Sequence, residues 1–356
     1  MADETNNMEN QTGVHKRRVR YKGTHPRSYK EKYKELNPEK YADTIDKVIR
    51  KGSTPAGMHI SIMVKEILDF LQIKPGQNGL DATLGYGGHS REMLKCLNGE
   101  GHLYSLDIDP IEIVKTKKRL QDAGFGEDIL TVIQKNFAYI DEVAAEYGPF
   151  DFLMADLGVS SMQIDNPDRG FSYKFDGPLD LRLNPESGQS AAERLRSVTP
   201  DELEGMLIEN SDEPYAAEIT KEVFKEFRKG NKIETTKRLA EVIEQALVVV
   251  PEKERKEAVK KSCQRTFQAL RIDVNSEFEV LEAFLEKLPD VMAPGGRIAI
   301  LTFHSGEDRL VKKSFKRLQK AGVYSEVATD VVRPSAEECA KNGRARSTKM
   351  RWAVKA

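Results

Sequence analysis

Asp81-Ala-Thr-Leu-Gly-Tyr-Gly-Gly88 sets Gly85, Gly87 and Gly88 between a stretch that reads as a strand and one that reads as a helix. Glycines at such a junction let the backbone approach a ligand closely. Asp107 comes 20 positions after Gly87, at the end of the next predicted strand. A carboxylate there accepts hydrogen bonds from ribose hydroxyls. Alone, the pair fits NAD, S-adenosylmethionine or a structural turn. Two features favour S-adenosylmethionine. Ser90 stands three positions after Gly87, so the full G-x-G-x-x-G pattern is missing. The fourth predicted strand ends in Met154-Ala-Asp-Leu-Gly-Val-Ser-Ser161, which puts Asp156 at the carboxyl ends of the strands, where ligands bind in such sheets. His304, Ser305 and Asp308 raise a hydrolytic alternative with Ser160 or Ser161 as nucleophile. No G-x-S-x-G elbow accompanies them, so His304 is read as a pocket-wall or substrate contact, or as a structural histidine.

The elements that must position these residues follow from hydrophobic period and punctuation. Apolar residues at helical spacing predict a helix over 61–72, ended by Pro75-Gly76. Strands are predicted over 79–83, 102–108, 129–134 and 150–157, with helices over 89–97, 110–122 and 140–147. Such alternation means βαβ units and a parallel, doubly wound sheet. After Leu157 comes a loop rich in Asp, Pro and Gly to about 185, then helices over 191–197, 200–209, 215–229 and 236–249. One long helix, 266–288, precedes strand 297–303, helix 307–320 and strands 323–328 and 349–354. The expected fold class is α/β, interrupted by a helical insert of about 80 residues.

The 356 residues correspond to two or three domains at roughly 100–200 residues each. Hydrophobic residues make up 39%, enough for a sizeable core, which excludes a wholly disordered chain. The longest aliphatic run spans only 246–250, far below the ~20 residues of a membrane helix, so no membrane partner is expected. The polar N-terminal stretch has no apolar core of a signal peptide, and the expected location is the cytoplasm. Cys96, Cys263 and Cys339 lie far apart without a CxxC pair, so neither a metal site nor a disulfide framework is expected. The net charge of −1 conceals an asymmetry: residues 15–51 sum to +8 and residues 52–356 to −6. That basic arm interleaves Tyr21, Tyr29, Tyr33 and Tyr41 with its charges, a mixture suited to base stacking and phosphate contact. A solvated tail is the other reading of the same charge run.

Several ordered motifs resemble the RsmH (MraW) family. They are Leu84-Gly-Tyr-Gly-Gly-His-Ser90, Asp156-Leu-Gly-Val-Ser-Ser-Met-Gln-Ile-Asp165, Arg169-Gly-Phe-Ser172 and Asp176-Gly-Pro-Leu-Asp-Leu-Arg182. Gly188-Gln-Ser-Ala-Ala192, Arg265-Thr-Phe-Gln-Ala-Leu-Arg-Ile272, Val274-Asn-Ser-Glu277, Phe303-His-Ser305 and Arg344-Ala-Arg-Ser347 continue the match from about residue 59 to the C-terminus. The resemblance implies a Rossmann-like class I methyltransferase domain over 52–183 and 264–356, a helical insert over 184–263 for RNA recognition, and an N-terminal arm over 1–51. It implies S-adenosylmethionine as cofactor and a cytosine N4 near the decoding centre of 16S rRNA, in the small ribosomal subunit, as target. Carried over by position, the cofactor contacts are Gly87, Gly88, His89, Asp107, Phe137, Asp156 and Gln163. Tyr86 stands where the family often has Arg, and Gly306 where His-Ser-Leu-Glu-Asp is usual, departures that look like a second-copy branch.

Methyl transfer to a cytosine amine needs an acceptor for the departing proton, because the nitrogen lone pair is delocalised into the ring. Asp156 is the candidate; holding the cofactor's amino group is its other possible role. The target base must leave its stack. Phe171 and Tyr173 are placed to support it with Arg169 beside them, although Phe171 reads equally well as a core anchor. Arg265, Arg271, Lys260, Lys261, Arg333, Arg344, Arg346 and Arg351 are candidates for phosphate contact. Methylation of a different RNA cytosine and non-catalytic binding of rRNA during assembly are the competing functions. The sequence leaves the oligomeric state open, a homodimer included.

Overall fold

The structure is a computed structural model that describes residues 61–356. The arm and its tyrosines lie outside the described residues. Helix α1 (Val64–Leu71) leads into β1 (Asn78–Asp81), α2 (Gly88–Leu97), β2 (His102–Asp107), α3 (Pro110–Asp122), β3 (Leu130–Gln134), α4 (Ile140–Tyr147) and β4 (Phe150–Asp156). The loop beyond β4 carries a short α5 (Ser161–Asp165). Helices α6 (Ala191–Ser197), α7 (Pro200–Ser211), α8 (Ala216–Arg228) and α9 (Thr236–Ala246) follow, then α10 (Glu252–Val274) and α11 (Glu277–Val291). Strand β5 (Met292–Thr302), α12 (Ser305–Lys320), β6 (Tyr324–Val327), α13 (Ala336–Lys341) and β7 (Lys349–Lys355) complete the chain.

The seven strands run in the order β3-β2-β1-β4-β5-β7-β6. The first five are parallel, and β7 is antiparallel to both β5 and β6. This is the α/β fold expected from the alternation. Strands β1, β2 and β4 each end in an aspartate, Asp81, Asp107 and Asp156, so three carboxylates stand along one edge of the sheet. One face of the sheet packs Leu153, Ile298 and Ile300 against Phe284 and Leu288 of α11 and Phe315 of α12. The other buries Leu103, Phe152 and Leu301 against α1 and α2. Helices α6 to α9 and the second half of α10 share a separate core around Leu207, Ile219, Leu239, Ile243 and Leu270. Each such aliphatic side chain contributes roughly 1.5–3 kcal/mol on burial. Among the described residues no helix is long and apolar enough to cross a membrane.

Two predicted elements need correction. The single helix over 266–288 is two helices, broken at Asn275 and Ser276, where Ser276 adopts φ 48°. Leu270 and Ile272 before the break and Leu281 and Leu285 after it are all buried, so the apolar period carries across without a glycine or proline to mark the turn. The turn at 293–296 is a bulge inside β5, since Phe150 pairs with Met292 and the next paired residue, Phe152, faces Arg297.

Candidate active site

Asp81 is fully buried; it accepts from the Thr83 amide at 3.0 Å and from the Ser90 hydroxyl at 2.5 Å. It thereby ties the glycine loop to the first turn of α2. The Thr83 hydroxyl oxygen accepts from the Asp156 amide at 2.6 Å, which joins the loop to the end of β4. The Asp107 carboxylate accepts from the Gly85 amide at 2.7 Å and the Asp109 amide at 2.9 Å. Burial nevertheless pushes its pKa up to about 6. Gly87 sits at φ 78°, and a Cβ there would lie 2.7 Å from the Thr116 methyl. It turns the chain, whereas Gly85 and Gly88 line the space beyond.

That space is a cavity of about 850 Å³ at the carboxyl edge of the sheet. Gly88, His89, Asp107, Phe137, Asp156, Gln163, Phe171, Tyr173, Arg271 and His304, far apart in sequence, all line it. Burial, with the nearby charge of Glu307, pushes Asp156 up to about 7. Its Oδ1 is buried without a partner among the described residues, and its Oδ2 lies 3.6 Å from Nδ1 of His89. Nε2 of His89 is 2.9 Å from the Ile62 carbonyl oxygen and donates to it, so the Nδ1 lone pair faces Asp156. Burial lowers the His89 pKa.

Gln163 and Arg169 converge on a residue the sequence reading did not single out. Asp109, fully buried at the N-cap of α3, accepts from Nε2 of Gln163 at 2.8 Å and from Nη1 of Arg169 at 2.7 Å. The Gln163 Oε1 accepts from the Ser160 amide, so this side chain braces the loop after Asp156 from both ends. Arg169 also donates to the carbonyls of Arg182 and Leu183 and is only 6% exposed. It is not placed to meet an RNA phosphate. Its local sequence carried no sign of this, because the partner lies 60 residues away.

Phe171 serves both of its readings, packing in the core of the helical region while lining the cavity. Phe137 meets Phe284 edge-on at 5.0 Å, and Tyr173 meets Phe267 at 5.7 Å. Tyr86 lies under the Arg119 guanidinium, 3.4 Å from its ring centre. Arg271 holds Glu277 through two hydrogen bonds of 2.7 and 2.9 Å. Glu307 accepts from the Phe303 amide at 2.8 Å, and its Oε1 lies 3.1 Å from Nε2 of His304, without the alignment of a hydrogen bond. Burial alone would raise Glu307, but the His304 ring, the Phe303 amide and Arg271 together hold it below the usual range. Glu277, His304 and Glu307 bring possible metal ligands within 4.8 Å of one another, but Arg271 already supplies Glu277 with a cation. Arg265 lies apart, on a second cavity that shares the His304 wall.

Residues 56–356 match the model of the MraW methylase family. The chain belongs to this family. It is 73% identical over 348 residues to the ribosomal RNA small subunit methyltransferase H 1 of Lachnoclostridium phytofermentans, covering 98% of this chain and 95% of the relative. The enzyme of the same name from Agathobacter rectalis is 68% identical over 342 residues, covering 96% and 98%. The ribosomal RNA small subunit methyltransferase H of Thioalkalivibrio sulfidiphilus is 41% identical over 272 residues, covering 75% and 82%. The fold is that of a class I methyltransferase, and the methyl donor is S-adenosylmethionine. The residues present fit that donor. Asp107 offers remaining lone pairs at the cavity wall, and the orphaned Oδ1 of Asp156 offers an acceptor for a cation or an N–H.

Proposed function

We propose that this methylase transfers a methyl group to the exocyclic N4 of a cytosine near the decoding centre of small-subunit ribosomal RNA. The observation that carries the chemistry is the buried, unpartnered Oδ1 of Asp156 in the cavity wall. The names of the relatives support the RNA class.

Bound S-adenosylmethionine supplies an electrophilic methyl group on a sulfonium. Asp107 accepts from its ribose hydroxyls, and Gly85 and Gly88 give backbone access beside Phe137. Gly87 acts through the turn it makes. Gln163 acts by holding Ser160 and Asp109 in place. Alignment and exclusion of water are the main tasks in a displacement of this kind. Oδ1 of Asp156 accepts the cytosine N4–H and takes the proton as the nitrogen becomes tetrahedral. Phe171, Tyr173 and His304 wall the space an unstacked base would enter. The helical region over 184–263 and the basic arm over 1–51 supply surface for RNA.

The test is transfer of labelled methyl from S-adenosylmethionine into small subunits from cells lacking this chain, followed by digestion and nucleoside mapping. N4-methylcytidine near the decoding centre, absent with Asp156→Asn, is expected. Label on another nucleoside would overturn the N4 assignment, and no label on any RNA would overturn the RNA reading.

A further inference from the structure

The second cavity, about 490 Å³, lies between the end of α7, the middle of α10 and the start of α12, and meets the methyl-transfer cavity at His304 and Gln268. Three cations border it, Arg265 from α10 and Arg309 and Lys313 from α12. The last two are four residues apart and so share a helix face. None of the three makes an ion pair among the described residues. Glu209, Asp212 and Glu282 also border the cavity. The wall between the cavities is aromatic: the Phe278 ring lies 5.9 Å from the His304 ring. Gly306 makes room for it, since a Cβ there would come within 2.6 Å of Phe278 Cζ.

We propose that this cavity seats a nucleotide of the RNA substrate next to the target base, its phosphate held by Arg265, Arg309 and Lys313 and its base stacked on Phe278. The proposal rests on the RNA reading above and adds to it the path of the strand. An aromatic face and unpaired cations together are what a single-stranded nucleotide needs. The bordering carboxylates match exocyclic amines, the donors that bases carry. The volume falls in the range of ordinary small-ligand sites, roughly 300–1,000 Å³. At position 306 a longer side chain would displace Phe278, so the seat belongs to chains with glycine there.

The experiment measures binding of a fluorescent transcript of the decoding region of small-subunit rRNA across a salt series. It compares the full chain with Arg309→Ala, Lys313→Ala and Phe278→Ala. Lys316→Ala, exposed on α12 and outside the cavity, serves as control. Each cation variant should lower the slope of log K against log salt by about 0.7–0.9. Phe278→Ala should weaken binding about tenfold and leave the slope unchanged. S-adenosylmethionine affinity should stay at the wild-type value in all of them, which excludes misfolding as the cause. Slopes and affinities equal to the control, in a chain that still binds and methylates the transcript, would overturn the nucleotide seat and leave the RNA reading intact. A wild-type chain that neither binds nor methylates the transcript or isolated small subunits would overturn both.

Discussion

Asp156 faces two opposing pulls. Burial and Glu307 favour its protonated form, pushing it up to about 7, while a proton acceptor must be ionised. The unfolded chain would carry this group near 3.9. The folded protein without cofactor therefore binds the proton more tightly than the unfolded one. This contribution to stability is complete below about pH 4 and lost as pH rises through about 7. A cation beside the carboxylate reverses the preference. Binding of S-adenosylmethionine should release a proton, and affinity should rise between about pH 6 and 8. Calorimetry in two buffers of different ionisation heat measures that proton directly. Asp156→Asn should abolish the release and lower kcat by about 10²–10⁴-fold. A proton count that the substitution leaves unchanged would assign the release elsewhere, Asp107 being another raised carboxyl on the same cavity wall. At this scale the glycine loop and the predicted strand ends pointed to Asp107 and Asp156, and the structure places both on the cavity wall. The sequence was silent about Asp109, whose role depends on two side chains brought from 54 and 60 residues away.

Among the elements, the strands and most helices followed from period and punctuation, while the break between α10 and α11 did not. It is held by side-chain hydrogen bonds in place of glycine or proline. Asn275 accepts from the Leu183 amide at 2.7 Å and donates to the carbonyls of Leu181 and Arg271, both at 2.8 Å. Leu181 itself has φ 65°, a conformation that costs a branched residue energy and persists only where neighbours enforce it. The polar residue at the break thus fastens the loop after α5 to the end of α10, and both segments line the larger cavity. Asn275→Ala should leave the half-buried Leu183 amide without its partner and lower stability by about 1–3 kcal/mol in denaturant titrations. It should also weaken cofactor binding, which Asn275→Asp, still able to accept from that amide, should partly restore. Wild-type stability in the alanine variant would mean that water replaces the side chain without loss.

For the whole molecule, one ion pair joins the sheet to the segment that leads into the helical region. Arg169 reaches Asp109 on one side and the carbonyls of Arg182 and Leu183 on the other, with both charged groups almost completely removed from water. Removing one partner from such a pair leaves an uncompensated buried charge, a loss of about 3–5 kcal/mol, whereas replacing both by apolar groups is often far milder. Arg169→Met should accordingly destabilise the protein by that amount. Cleavage by protease within 158–190 should rise with it, because this segment loses its anchor to the sheet. Asp109→Asn, which keeps a side-chain oxygen for the N-cap of α3 while removing the charge, should combine with Arg169→Met to give less loss than the two single changes added. The coupling energy from that double-mutant cycle separates the two accounts of the arginine. Strong coupling with RNA affinity unchanged in the double variant would make Arg169 a joint between the two cores. Independent effects, with a fall in RNA affinity for Arg169→Met alone, would return it to the substrate surface from which the structure removes it.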